Sequence, residues 1–344
     1  MYKIFKIIII NFLILLSIIL ILELIMGNKI YSQKLNCGYL LCSANHSYEN
    51  KLYEGKKYIN YKKDKYGFRG LRKNVSEIDI LTIGGSTTDE RYLEEEDTWS
   101  EQLEQIINDK HPNLDLEVVN AGIDGQSTYG HIWNFKNWFP KIKDFKTKYI
   151  FFYIGLNEYF SDEKHIYDQG TKYLNFFQKI KLWFKENNGI IYRTYDVVYR
   201  NFFLKDILNV GHKIRNSNYQ LAKTNFQITD ENIKDLNNRL DILINFTKRL
   251  DAIPVFITQR SLRSKLIDNR VYSVSEFDYI SKEKIISEII INNCEKNQIY
   301  CIDLFVKIKF SKGSLYDLVH ANPIGAKIIA ETIFDDFNKI LNKN

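Results

Sequence analysis

The chain has 344 residues, 48 of them Lys or Arg against 42 Asp or Glu, for a formal charge of +6. Hydrophobic residues make up 45% and charged residues 26%, which excludes disorder along most of the chain, and 4 Pro with 16 Gly exclude a Pro-rich or collagen-like one. The charge surplus is too thin for the concentrated basic face that nucleic-acid binding needs, so no nucleic-acid partner is expected.

The first element reads as a membrane span. Ile7 to Leu22 is apolar except for Asn11 and Ser17, and Leu24, Ile25 and Met26 follow Glu23. About 20 such residues cross a hydrocarbon core of roughly 30 Å as a helix. The polar turns of a soluble helix are missing on every face. Ile30-Tyr31-Ser32 is a poor cleavage site, so residues 1–27 are expected to be an uncleaved signal anchor, with a cleaved signal peptide as the alternative. Lys3 and Lys6 flank one side and Lys29 and Lys34 the other, so the positive-inside rule gives a small vote for a cytoplasmic amino terminus and an extracytoplasmic body. Four cysteines form two local pairs, Cys37/Cys42 and Cys294/Cys301, which an oxidising compartment permits to become two disulfides. Three connectivities are open. Neither pair is a C-x-x-C, and neither a metal nor another cofactor is expected.

Residues 28–75 show no clear periodicity and read as a stalk wrapping onto the body, with Tyr66-Gly67-Phe68-Arg69-Gly70 near its end. Regular alternation follows. Buried strands are expected at 78–83, 116–119, 149–154, 254–258 and 301–305, with helices at 99–107, 129–139, 233–250, 279–291 and 323–341. Asn322 and Pro323 supply an N-cap and first-turn proline for the last helix. Continuous apolar strands alternating with helices predict an α/β fold: a three-layer α/β/α body over 76–342 with a five-stranded parallel sheet. An insertion at about 160–230 is rich in aromatic and basic residues. It reads as a helical cap near the site or as an interfacial membrane surface.

In such sheets, ligands bind beyond the carboxyl ends of the strands. Gly84-Gly85-Ser86 follows the first strand, where two glycines allow a sharp turn and leave a hydroxyl exposed. Asn120-Ala121-Gly122 follows the second, where a glycine can offer its N–H to a ligand. Gly155-Leu156-Asn157-Glu158 follows the third, where a side-chain amide can stabilise a developing oxyanion. Before the closing helix, Asp317-Leu318-Val319-His320 spaces a carboxylate to hold an imidazole in one tautomer.

These four blocks, in this order, resemble the SGNH hydrolases, also called GDSL-like esterases. The resemblance covers about residues 76–342. Two positions depart from the family pattern: Gly85 stands where an acidic or amide residue is usual, and Glu158 where Asp is usual. The resemblance implies a flavodoxin-like sheet with Ser86, Asp317 and His320 as catalytic residues. It also implies an oxyanion hole from the Ser86 and Gly122 N–H groups and the Asn157 side chain. The anchor, the Gly-Phe-Arg-Gly segment and the insertion look like membrane-anchored bacterial members acting on envelope glycans. The function then expected is removal of small acyl groups, such as acetyl, from a cell-envelope carbohydrate. An O-acyltransferase with a membrane acyl-donor partner and a non-catalytic glycan-binding domain remain the alternatives.

Overall fold

The computed structural model describes residues 2–27, 35, 40–160, 175–177, 180, 183–184, 189–202, 229–261, 264–267, 270–273, 279–311 and 313–342. Helix α1 spans Tyr2–Met26 and is long and apolar enough to cross a membrane, with almost none of it buried against the rest of the chain. A hairpin of β1 (Asn45–Glu49) and β2 (Tyr58–Lys62) follows. It lies inside the stretch expected to be a stalk. Its alternation is real: Ile59 and Tyr61 point inward while Tyr58, Asn60 and Lys62 face solvent. Only two apolar side chains carry the pattern, among lysines, so the sequence signal is faint.

The body is built on β3 (Ile78–Gly84), β4 (Val118–Asn120), β5 (Thr147–Ile154), β6 (Ile253–Thr258) and β9 (Tyr300–Ile302), ordered β4-β3-β5-β6-β9 and all parallel. A small antiparallel pair, β7 (Ser264–Ile267) and β8 (Arg270–Ser273), interrupts the run before β9. Between the strands run α2 (Ser86–Asp89), α3 (Trp99–Lys110), α4 (Thr128–Asn137), α5 (Ile190–Phe202), α6 (Asp230–Arg249) and α7 (Tyr279–Asn297). After β9 come α8 (Leu304–Lys307) and α9 (Pro323–Leu341). Every residue of β3 is buried, as expected of a strand covered on both faces. Alternate residues divide between two cores. Leu81, Ile83, Phe152 and Phe256 pack with α4, α6 and α7 through Phe135, Leu240 and Ile290. Ile80, Phe151, Val255 and Ile257 pack with α3 and α9 through Leu103, Ile333 and Phe337.

The expected strands all form, with two shortened: the second begins at Val118 rather than at residue 116. The fifth ends at Ile302, and Leu304 and Phe305 are buried in the one-turn α8 instead. An apolar run cannot distinguish these two ways of burying a side chain. Helix α9 begins as expected: Asn322 Oδ1 accepts from Gly325 N at 3.1 Å, with Pro323 in the first turn. The cap reading of the insertion falls largely on residues outside those described.

Sheet order also fixes where chemistry can sit. The chain leaves β3 for β4 on one side and then crosses back to β5 on the other side of β3, so a crevice opens at their carboxyl ends. The wrapping segment closes the sheet edge on that side. Arg69 exchanges two backbone hydrogen bonds with Asn120 of β4, each 2.9 Å, and so covers an edge strand that would otherwise be open. Phe68 stacks on Trp138 at 5.0 Å, and the Trp138 indole donates to Tyr66 O.

Candidate active site

Ser86 is the first residue of α2, directly after the glycine pair that ends β3. Both glycines stand where side chains cannot fit. A Cβ on Gly84 would lie 2.1 Å from Thr88 Oγ1, and one on Gly85 would lie 2.1 Å from Asn157 Nδ2. The absence of an acidic side chain at Gly85 therefore has a local cause: the Asn157 amide occupies that space.

The structure brings three expected residues into one hydrogen-bonded line. Ser86 Oγ lies 2.8 Å from His320 Nε2, and His320 Nδ1 lies 2.6 Å from Asp317 Oδ2. The other Asp317 oxygen accepts from the backbone N–H groups of Val319 and His320, each at 2.7 Å. A tight loop carries the pair. Asn322 N donates to Ser314 O, Leu315 bridges to Ala321, and α9 starts immediately after. Burial pushes the Asp317 carboxyl up. The hydrogen bond and charge of His320 and the two N–H groups outweigh this and hold it below the usual carboxylate range. The Tyr316 ring stacks on the imidazole at 5.6 Å, and Tyr53 stacks on Tyr316 at 6.1 Å.

Asn157 reaches the same corner from the end of β5. Its Nδ2 donates to Gln126 O at 2.7 Å, which commits one of its two amide hydrogens and leaves the other available. Glu158 turns away from the site. Its carboxylate accepts from Thr128 N and Thr128 Oγ1 at the start of α4, and from the Arg239 guanidinium of α6 at 2.9 Å. That network locks the turn bearing Asn157 onto two helices, a span suited to the longer Glu.

Gly122 requires a correction. Its N–H is expected to face an oxyanion, but it donates to Asn120 Oδ1 at 2.8 Å. The glycine is needed for close packing: a Cβ would sit 2.3 Å from Asp89 N. Farther along the same loop, Gly125 has φ of +77° and open space where a Cβ would stand.

Several residues that shape the site are not singled out by the sequence. Gln259, just beyond β6, accepts from Leu156 N at 2.8 Å and donates to Thr87 Oγ1 at 2.7 Å, tying the Asn157 turn to the Ser86 turn. The post-strand rule reaches this position too. Lys63 and Arg69 carry no such signal. Arg69, fully buried, donates to the carbonyls of Asp89, Glu90 and Leu93 behind Ser86. Lys63 Nζ, equally buried, donates to Gly122 O at 2.8 Å and pairs with Asp89 at 3.3 Å. Burial lowers the Lys63 pKa despite the opposing charge of Asp89. Burial likewise pushes the Asp89 carboxyl up, but Lys63, Arg91, Arg69 and the Tyr61 hydroxyl together hold it below its ordinary value.

No family model matches the sequence, and no curated protein sequence matches it. Solved structures are similar. A catalytic mutant of Axe2, an acetylxylan esterase from Geobacillus stearothermophilus, shares 14% identity, with 77% of this chain and 96% of that one covered and a TM-score of 0.44. The acetyl xylan esterase AlAXEase shares 14%, with 75% and 99% covered and a TM-score of 0.46. A lipolytic G-D-S-L family member from Veillonella parvula shares 15%, with 76% and 98% covered and a TM-score of 0.41. At these identities and TM-scores the likenesses carry no argument of their own. The chain's own sheet order gives it a three-layer α/β/α fold, and the Ser86–His320–Asp317 line lies at the carboxyl edge of its five-stranded parallel sheet.

Proposed function

We propose that this chain is a membrane-anchored serine ester hydrolase that removes small acyl groups from a cell-envelope carbohydrate. The observation that carries the chemistry is the hydrogen-bonded run from Ser86 through His320 to Asp317. Ser86 Oγ attacks the ester carbonyl while His320 Nε2 takes its proton, and Asp317 holds the imidazole and offsets its new charge. The carbonyl oxygen becomes an oxyanion beside the Ser86 N–H, which lies in the first turn of α2 and lacks an intrahelical acceptor. The free hydrogen of the Asn157 amide completes this pair of donors. His320 then protonates the leaving alcohol, and water resolves the acyl-enzyme by the reverse path.

Two features support an envelope glycan. Partly exposed Tyr53, Tyr92 and Tyr316 gather beside His320, with Tyr48 edge-on to Tyr92 at 5.3 Å, and tyrosine offers a sugar both an apolar face and a hydroxyl. The apolar α1, the Cys294–Cys301 disulfide and a disulfide-bonded Cys42 suit a single-pass protein whose body lies in an oxidising compartment.

The decisive test pairs labelling with turnover. The full chain in detergent should react with a fluorophosphonate probe and release acetate from acetylated glycan, and Ser86→Ala should do neither while keeping its melting temperature. An intact protein that resists the probe overturns the proposal. Acetate release with and without a sugar acceptor separates hydrolysis from transfer.

A further inference from the structure

One contact ties the insertion to the anchor. Glu23 is the only acidic residue in α1, and it is 4% exposed in an otherwise exposed helix. Its carboxylate accepts from Ile191 N at 3.1 Å, in the first turn of α5. Gly189 makes room for it, since a Cβ there would lie 2.1 Å from Glu23 Oε1. An anion at a helix N-terminus is a favourable arrangement. Glu23 stands three residues from the end of α1, which at 1.5 Å per residue is about 4.5 Å. Where α1 spans a bilayer, α5 therefore starts at headgroup depth.

Several described apolar residues of the insertion are exposed. Ile191, Tyr195 and Val198 fall at i, i+4 and i+7 on α5, and all three are exposed. Phe176, Ile180 and Trp183 repeat that spacing and are exposed as well, with Phe176 at 70% and the adjacent Phe177 at 79%. A soluble domain would bury such stripes. The sequence intersperses them with Lys172, Lys179, Lys181, Lys185 and Arg193. Aromatic residues with Lys and Arg are the composition of an interfacial membrane segment.

We infer that this face rests on the lipid surface of the bilayer that α1 enters, as a second membrane contact beside the anchor. The inference takes α1 as the anchor, and its occupant is phospholipid because the face begins at the anchor's own end. Two points of attachment, one spanning and one lying flat, fix the tilt of the body and hence the direction in which Ser86 opens.

The test uses the full chain in nanodiscs of phosphatidylcholine, with and without tail-brominated lipid. Subtracting the emission of Trp183→Phe isolates the Trp183 signal from Trp99, Trp133 and Trp138. That signal should be blue-shifted and should lose most of its intensity in brominated lipid. Phe177→Trp placed in the Trp183→Phe background should be quenched in the same way. A Trp183 signal unchanged by bromine, in a chain that still resists carbonate extraction, overturns the second contact and leaves the anchor standing. A signal that is blue-shifted yet unquenched overturns it in favour of a second copy covering the face. A chain released by carbonate overturns the anchor, and the second contact with it.

Discussion

Asn157 donates one amide hydrogen to Gln126 O and lies against the bare Cα of Gly85, so its second hydrogen is held in a fixed direction beside Ser86. Removing one such donor raises a barrier by about 2.7–4 kcal/mol, so Asn157→Ala should lower kcat by about 100- to 1000-fold with KM for a small ester little changed. Steady-state kinetics beside a thermal melt checks this. His131 of α4 makes a different prediction. Burial alone pushes its pKa down to about 3. The folded value lies below the unfolded one of 6.5, so its contribution is complete above pH 6.5 and is lost as pH falls toward 3. The slope is about 1.4 kcal/mol per pH unit, and His131→Asn should flatten the fall in melting temperature between pH 7 and pH 5. At this scale the sequence located Ser86, Asn157, Asp317 and His320 near one sheet edge, because each borders an element whose apolar pattern is plain. It misled at Gly122, because the direction of that N–H depends on the Asn120 side chain. Pattern and spacing do not encode a rotamer.

The wrapping segment is the element that sequence periodicity described least. Its hairpin has two inward side chains, and Lys63 looks like any other residue of a lysine-rich stretch. Its fate is set by Asp89, which lies 3.3 Å away across a turn of unrelated sequence. Removing one partner of a buried pair typically costs about 3–5 kcal/mol, and replacing both costs far less. Lys63→Met should therefore destabilise the protein by about that amount, and Lys63→Met with Asp89→Asn should recover much of it. Activity should stay low in the double variant, because nothing then holds Gly122 O against the segment behind Ser86. Denaturation and kinetics on the four members of the cycle check both statements. The strands were legible for the opposite reason. A strand covered on both faces is apolar throughout, and β3, β5 and β6 are close to that limit.

Across the whole molecule, the Cys294–Cys301 bridge joins the end of α7 to β9, the last strand of the sheet. A loop that short gives about 2–3 kcal/mol by constraining the unfolded chain. Cys294→Ala with Cys301→Ala should lower the melting temperature and leave acyl turnover unchanged, since neither residue approaches the site. The pairing was one of three that cysteine counting allowed, and only the adjacency of α7 and β9 selects it. The wrapping segment bears on the whole molecule as well. Tyr61, Lys63 and Arg69 come from the amino-terminal side of the body, yet they complete the floor beneath Ser86. On the proposed function, a shed form that kept its activity would therefore have to be cut upstream of β1. A protease acting between β2 and β3 would strand Asp89 without its lysine cation and release a body unable to turn over.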